Sequence, residues 1–207
     1  MKLSDSSRKI QFYFPNLDQL QIEQFEVLKE IYLNWNSKIN VISRKNLPEL
    51  YVNHVLHSLS IAKFISFKKG TSILDIGTGT GCILLSILSE LKNSKGIGLD
   101  ISSKAIRTAN ANSKKHKLTQ RTKFYKRSLN EIYHNKFDLI VANPPYVPEK
   151  ESKNSSLVHE PKIALFSQQN GLADPLKIIS GAKKHLNPNG HFFIEHGEGQ
   201  SEIIQEA

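Results

Sequence analysis

The sequence predicts an α/β fold: parallel strands with helices on the faces of the sheet, preceded by a short helical N-terminal segment. Three observations lead there. After Lys68-Lys69-Gly70, short β-rich runs alternate with stretches of helical period. Glycines gather where the first of those runs passes into a helix. Before Gly70 the apolar residues recur at threes and fours, with no strand-like alternation. A length of 207 residues and a mass of 23.4 kDa suit one compact domain with a small additional element.

From Leu17 to Ile39, the residues Ile22, Phe25, Leu28, Ile31, Tyr32, Trp35 and Ile39 fall on one helical stripe. A second helix is predicted from Pro48, whose missing N–H does no harm in a first turn, with Tyr51, Val52, Val55, Leu56, Leu59 and Ala62 on one side. Residues 1–70 thus read as a helical front segment. Residues 71–207 carry five predicted strands, Ser72 to Ile76, Gly96 to Asp100, Thr122 to Tyr125, Phe137 to Ala142 and His191 to Glu195. The connecting helices are predicted over Cys82 to Lys92, Ser103 to His116 and Pro175 to Leu186. In the third of these Asp174 is placed to cap the open N–H groups, with Pro175 in the first helical position.

Composition narrows the functional classes. With 39% hydrophobic and 23% charged residues the chain can bury a core. No apolar run approaches the ~20 residues of a membrane helix, so a soluble protein without a membrane role is expected. The charged and polar start, Met1 to Lys9, leads into no secretory h-region. Cys82 is the sole cysteine, which forbids an intramolecular disulfide and points to a reducing cytoplasm; flanked by Ile83, Leu84 and Leu85, it reads as a small packing residue.

Lys and Arg outnumber Asp and Glu by 28 to 19, a net charge of +9 with a pI near 9.5. The excess is uneven. Between Ile101 and Asn130 lie Lys104, Arg107, Lys114, Lys115, Lys117, Arg121, Lys123, Lys126 and Arg127, with no Asp or Glu among them. Such a stretch suits a phosphate backbone, and equally a solvated helix face.

The first constellation with chemical content is Asp75-Ile-Gly77-Thr78-Gly79-Thr80-Gly81, where the first strand turns into a helix. Glycines there allow a tight turn and let backbone N–H groups and a helix N-terminus approach a ligand. A dinucleotide fingerprint starting at Gly77 requires glycine at position 82, which is Cys82, so that spacing fails. Asp75, just before the first glycine, would repel a pyrophosphate and suit the ammonium end of S-adenosyl-L-methionine. Asp100 ends the second strand, where a carboxylate can accept ribose hydroxyls.

The second constellation is Asn143-Pro144-Pro145-Tyr146, directly after the fourth strand. Two prolines remove two donors and stiffen the turn, so its carbonyls are free to accept from a ligand. That fits a planar –NH2 group, whose delocalised lone pair makes it a weak nucleophile in need of positioning. The Asn143 side-chain oxygen and the Pro144 carbonyl can each accept one N–H, and Tyr146 can stack on the flat group. No general base is required, because the nitrogen becomes acidic as it is alkylated. No metal site is predicted. His54 and His57 lie on the second front helix without a cluster, His191 and His196 flank the fifth strand, and neither a P-loop nor a Ser/His/Asp arrangement is present.

From about Ile73 onward the chain resembles the HemK-type methyltransferases, which modify a glutamine side-chain amide in peptide chain release factors. The matching pieces are Asp75 to Gly81, Asp100, Phe137 to Val147, Glu160-Pro161 with Ala164-Leu165, Gly171-Leu172 and Ile194-Glu-His-Gly197. The resemblance implies a Rossmann-like class I S-adenosylmethionine-dependent methyltransferase sheet. It implies cofactor contacts from Asp75, Gly77, Thr78, Gly79, Thr80, Gly81, Asp100 and Asn143, and, beside the adenine, from Ser128 and Leu129, where relatives often carry an acid. Asn143, Pro144, Pro145 and Tyr146 would hold the acceptor. The closing antiparallel hairpin of that fold is absent from the 207 residues, so a truncated domain is expected.

The first ~70 residues are similar instead to the helical start of the GidB-type methyltransferases, which modify a guanine ring nitrogen of small-subunit ribosomal RNA. Phe14-Pro-Asn-Leu17, Trp35 to Asn40, Ile42 to Lys45 and His54 to Leu59 carry that likeness. The two resemblances together imply a cytoplasmic N-methyltransferase acting on release-factor glutamine, with ribosomal RNA contact. They leave open the alternative of an rRNA or tRNA base methyltransferase, which the basic stretch from Lys104 to Arg127 favours.

Overall fold

The computed structural model describes residues 5–38, 47–56, 59, 65–132, 135–151 and 161–207. The chain divides into two compact units, Met1–Ser66 and Phe67–Ala207.

In the first unit, helix α1 spans Asp5–Tyr13 and α2 spans Gln19–Asn36. Asp18 starts α2 with a capping box: its Oδ1 accepts the Gln21 N–H at 2.8 Å, and the Gln21 Oε1 accepts the Asp18 N–H at 3.0 Å. The predicted α2 stripe holds only in part. Ile22 is buried and Phe25, Leu28 and Tyr32 are half-buried, whereas Ile31 and Trp35 are exposed and Ile39 lies outside the described residues. The predicted second helix is a 3-10 turn over Leu47–Glu49, with Pro48 in it, followed by a wider π-type turn over Tyr51–Leu56. Its remainder lies mostly outside the described residues, as do His57 and the stretch from Ile39 to Lys45. Tyr51 is buried, and its hydroxyl donates to the Phe25 carbonyl at 2.6 Å, tying this turn to α2.

The second unit is built on five parallel strands: β1 Ser72–Ile76, β2 Lys95–Asp100, β3 Thr122–Lys126, β4 Phe137–Ala142 and β7 Leu186–Ile194, in the order β3-β2-β1-β4-β7. A separate pair of two-residue strands, β5 Val147–Pro148 and β6 Phe166–Ser167, follows the fourth strand. The helices are α3 Cys82–Glu90, α4 Ser103–Lys115, α5 Ala173–Ala182 and α6 Ser201–Glu206. Strand order reverses between β1 and β4, which is where open sheets of this kind hold ligands, beyond their carboxyl ends. This is a Rossmann-like doubly wound sheet, as the sequence predicts.

Each face has its own core. Ile73, Leu84, Leu88, Leu139 and Phe124 pack on the side of α3 and α4, and Leu74, Leu99, Ile140, Leu129 and Ala182 on the side of α5. Alternation along the strands sends neighbours such as Ile73 and Leu74 to opposite faces, so both faces bury apolar residues. At the amino ends of the strands a single carboxylate joins three of them. Asp138 Oδ2 accepts the Ser72 N–H at 2.8 Å and the Ser72 hydroxyl at 2.7 Å, and its Oδ1 accepts Asn187 Nδ2 at 2.7 Å.

Several sequence expectations need correction. Cys82 is exposed and does not pack, because Leu84, Leu85 and Leu88 are the α3 residues turned to the sheet. Asp174 is not the cap of α5. Leu172 takes that position without a side-chain bond, and Asp174, in the first turn, donates its N–H to Ser167 Oγ at 2.9 Å. α5 stops at Ala182, where a 3-10 turn takes over, so the predicted helical run to Leu186 is cut short. β7 begins earlier than the predicted His191, because Leu186 already pairs with Phe137 before a bulge that accommodates Asn189 at φ 61°.

Candidate functional site

The register brings the carboxyl ends of three strands level. Ile76 lies opposite Leu99 on β2 and opposite Ala142 on β4, so the loops starting at Gly77 and Asn143 leave side by side. Gly77, Gly79 and Gly81 have φ values of 72°, 55° and 80°, a left-handed run that side chains resist. A Cβ on Gly77 would stand 3.8 Å from the Asn143 backbone oxygen, and one on Gly79 would meet only the Gly77 oxygen at 3.9 Å. At Gly77 and Gly79 the loop therefore presents backbone to open space, whereas Gly81 is closely packed: a Cβ there would stand 3.2 Å from Leu85 and Phe124 and 3.3 Å from Ala109.

Neighbouring polar groups hold it in shape. The Thr78 N–H donates to the Leu99 carbonyl at 2.8 Å and its hydroxyl to Asp75 Oδ2 at 2.6 Å. The Gly79 N–H donates to Asp100 Oδ2 at 2.9 Å, while Asp100 Oδ1 accepts the Ser102 N–H at 2.8 Å. From α4, Asn112 Nδ2 donates to the Thr80 carbonyl at 2.9 Å. Asn112 was not foreseen: a single polar residue on a polar helix face carries no periodic signal.

Asp75 is 1% exposed. Burial raises its pKa to about 6, against the lowering pull of the Thr78 hydroxyl and the Leu84 backbone, and the Asp100 carboxylate nearby pushes it further up. Its Oδ1 is buried and has no hydrogen-bond partner among the described residues. An orphaned carboxylate oxygen beside a second acid and a glycine-rich loop fits a cationic ligand with a sugar hydroxyl pair, and S-adenosyl-L-methionine is such a ligand.

The proline corner is rigid and partly covered. Pro144 is buried, Pro145 and Tyr146 are half-buried, and the Asn143 side chain is exposed with no hydrogen bond among the described residues. The carbonyls of Asn143 and Pro144 likewise accept no bond among the described residues. Tyr146 is held at both ends: its hydroxyl donates to Glu195 Oε1 at 2.8 Å, and its carbonyl accepts Gln200 Nε2 at 3.0 Å. Gln200 is buried, and its amide also donates to the Asn170 carbonyl at 3.1 Å and accepts the Gly197 N–H at 2.8 Å. Gly171, at φ 87°, passes so close to the Tyr146 carbonyl that a Cβ there would collide with it. Gln200 and Gly171 thus shape the corner through contacts distant in sequence, which no local pattern announces.

The two residues expected beside the adenine, Ser128 and Leu129, lie at the turn after β3. Leu129 is buried in the core on the α5 side, against Gly181, because the 3-10 turn Leu129–Glu131 rolls it inward. Ser128 caps that turn, and Glu131 Oε2 accepts both its N–H at 2.6 Å and its hydroxyl at 2.9 Å. Glu160 of the predicted Glu-Pro piece lies outside the described residues. Among the described residues no three His, Cys, Asp or Glu side chains gather as for a metal ion, and no helix is long and apolar enough to cross a membrane.

A family model described as a methyltransferase domain matches residues 67–207. The chain is 41% identical over 137 residues to a bifunctional methyltransferase of Rickettsia typhi, covering 64% of this chain and 26% of that protein. It is 62% identical over 69 residues to the ribosomal RNA small subunit methyltransferase G of Flavobacterium johnsoniae, covering 33% of each. With the protein of that same name from Porphyromonas gingivalis the identity is 34% over 195 residues, 94% of this chain and 79% of the relative. The name shared by the Flavobacterium and Porphyromonas relatives agrees with the GidB-type resemblance, and none of these three names supports the HemK-type one. The chain spans only 26% and 33% of the lengths of the first two relatives.

Proposed function

The chain belongs to the methyltransferase-domain family, and from that premise we propose that it methylates a planar nitrogen presented at Asn143 to Tyr146, with an RNA base as the acceptor. The observation that carries the reaction type is the juxtaposition of Gly77 with the Asn143 carbonyl, which sets the proline corner directly against the glycine loop. S-adenosyl-L-methionine, when bound, supplies an activated methyl group on a positively charged sulfur. Everything else falls to the chain's own residues. Asp75 Oδ1 would hold the cofactor's ammonium, Asp100 would accept the ribose hydroxyls, and Gly77 and Gly79 would let the cofactor lie against backbone.

At the corner, the Asn143 side-chain oxygen and the Pro144 carbonyl accept the two N–H bonds of the acceptor, aiming its nitrogen at the methyl carbon. The nitrogen lone pair forms the new N–C bond, the C–S electrons return to sulfur, and the extra proton leaves for solvent. An RNA base with an exocyclic amine, which carries the two N–H bonds, is the acceptor proposed; the relatives named as ribosomal RNA methyltransferases and the basic stretch favour RNA as the class of partner, and the choice of amine over ring nitrogen rests on the corner alone. Incubation with labelled cofactor and ribosomal RNA is expected to label a base; label only on protein would overturn the RNA reading.

A second reading, methylation of a release-factor glutamine amide, rests on one contact. The Tyr146 hydroxyl bonds Glu195, which joins the Asn-Pro-Pro-Tyr piece to the Ile194-Glu-His-Gly197 piece of the HemK-type resemblance. Purified release factor in the same assay decides between the two.

A further inference from the structure

The first unit holds a cavity that its sequence did not announce. On α1, Arg8 and Phe12 are four positions apart, as are Lys9 and Tyr13, so the four side chains share one helix face. Ser7 and Ile10 are buried on the other side of the helix. In the turn Tyr51–Leu56, Val52 and Leu56 are again four positions apart, close to one full turn of a π-type helix. These six residues line one cavity of about 470 Å³, a size suited to a small organic group. All six belong to the first unit.

The lining has two chemistries. Val52 and Leu56 supply an aliphatic wall, and the Phe12 and Tyr13 rings meet edge to face with centroids 5.1 Å apart and planes at 86°. The core uses neither ring: Phe12 is 79% exposed and Tyr13 52%. A flat apolar group laid against Phe12 would recover the area that both rings leave in water. Arg8 and Lys9 are exposed as well, one helical turn before the rings, which is about 6 Å along the axis. An anion held by the two cations is therefore close to any group stacked on Phe12.

We propose that this cavity seats one unpaired nucleotide of an RNA strand: Phe12 stacks on the base, Val52 and Leu56 cover its edge, and Arg8 and Lys9 hold the adjoining phosphates. The proposal rests on the RNA reading above for the class of partner and gives that partner a foothold away from the reacting nitrogen. An acidic peptide would answer the two cations, but its carboxylates would leave the rings unused, whereas a nucleotide carries a flat face and an anion in one unit.

The test titrates the full chain by anisotropy with three fluorescent probes of about 20 units each: oligouridine, an abasic ribose-phosphate strand of the same charge, and polyglutamate. Oligouridine is expected to bind the most tightly. Phe12→Ala is expected to lose about tenfold for oligouridine and to leave the abasic strand unchanged. Arg8→Gln with Lys9→Gln is expected to lower the slope of log K against log salt by about 1.4 for both strands, a roughly sevenfold smaller loss between about 50 and 200 mM KCl. An abasic strand or polyglutamate bound as tightly as oligouridine overturns the proposal, and so does parental oligouridine affinity in Phe12→Ala. Should Phe12→Ala not fold, Val52→Glu decides: it sets a carboxylate in the cavity and is expected to cost oligouridine at least tenfold, and parental affinity overturns the proposal. Binding is read without methyl transfer. A chain that methylates RNA while Phe12→Ala binds like the parent keeps the acceptor reading and loses the cavity, whereas base-dependent binding in a chain that methylates only protein does the reverse.

Discussion

The Gly79 N–H donates to Asp100 Oδ2 at 2.9 Å, so the acid at the end of β2 and the glycine loop after β1 form one unit before any ligand arrives. Asp100→Ala removes acceptors from both Gly79 and Ser102. The expected result is a loss of about 1–2 kcal/mol of stability together with at least tenfold weaker cofactor binding by calorimetry. Asp100→Asn keeps a carbonyl acceptor and is expected to fall between the two. A parental cofactor affinity in Asp100→Ala would remove the ribose role.

The buried Asp75 makes stability depend on pH in a direction opposite to most carboxylates. Its folded pKa, raised to about 6, lies above the ordinary value of 3.8, so the folded chain holds a proton that the unfolded chain has lost. The contribution is fully present below about pH 4 and is lost as pH rises through 6, a swing on the order of 3 kcal/mol. Asp75→Asn is expected to be more stable than the parent at pH 7.5, with the gap closing at pH 4, and to lose cofactor binding. Urea midpoints at the two pH values read this directly. A gap of equal size at both would contradict it.

Gly171→Ala places a Cβ against the Tyr146 carbonyl at a φ of 87° that alanine resists. At least about 2 kcal/mol of destabilisation is expected. The urea midpoint should fall with an unchanged m-value if the corner alone is strained.

Arg121→Ala tests the end of α3. It strips three carbonyls near the end of α3 of their donor. A cost of about 2 kcal/mol is expected, read as a lower urea midpoint. A parental midpoint would remove this role from Arg121.

Much of the sheet was legible because buried parallel strands are short, apolar and bounded by turn residues, and β1 and β4 fall where the sequence puts them. The glycine loop and the proline corner were legible for a related reason: glycine and proline act through the backbone, so their meaning survives without knowledge of neighbours. What escaped was set by tertiary contact. Gln200 reaches Tyr146 across 54 positions, Arg121 serves a helix 30 positions earlier, and Leu129 turns inward only because the chain makes a 3-10 turn there. The α2 stripe was misjudged for the opposite reason. Its apolar residues ring the helix more widely than one buried face, and Ile31 and Trp35 are left outside.

Asp138, which gathers the starts of β1, β4 and β7, has its pKa lowered by the Ser72 bonds, first through the backbone N–H and then through the hydroxyl. A lowered carboxylate lends its support above its ordinary value and withdraws it as the medium acidifies below that value. The foot of the sheet therefore loosens in strong acid, while its ligand-bearing rim is relieved by mild acid. The two aspartates thus answer acid in opposite senses, and a cationic ligand at Asp75 would remove the strain that neutral pH places on the rim.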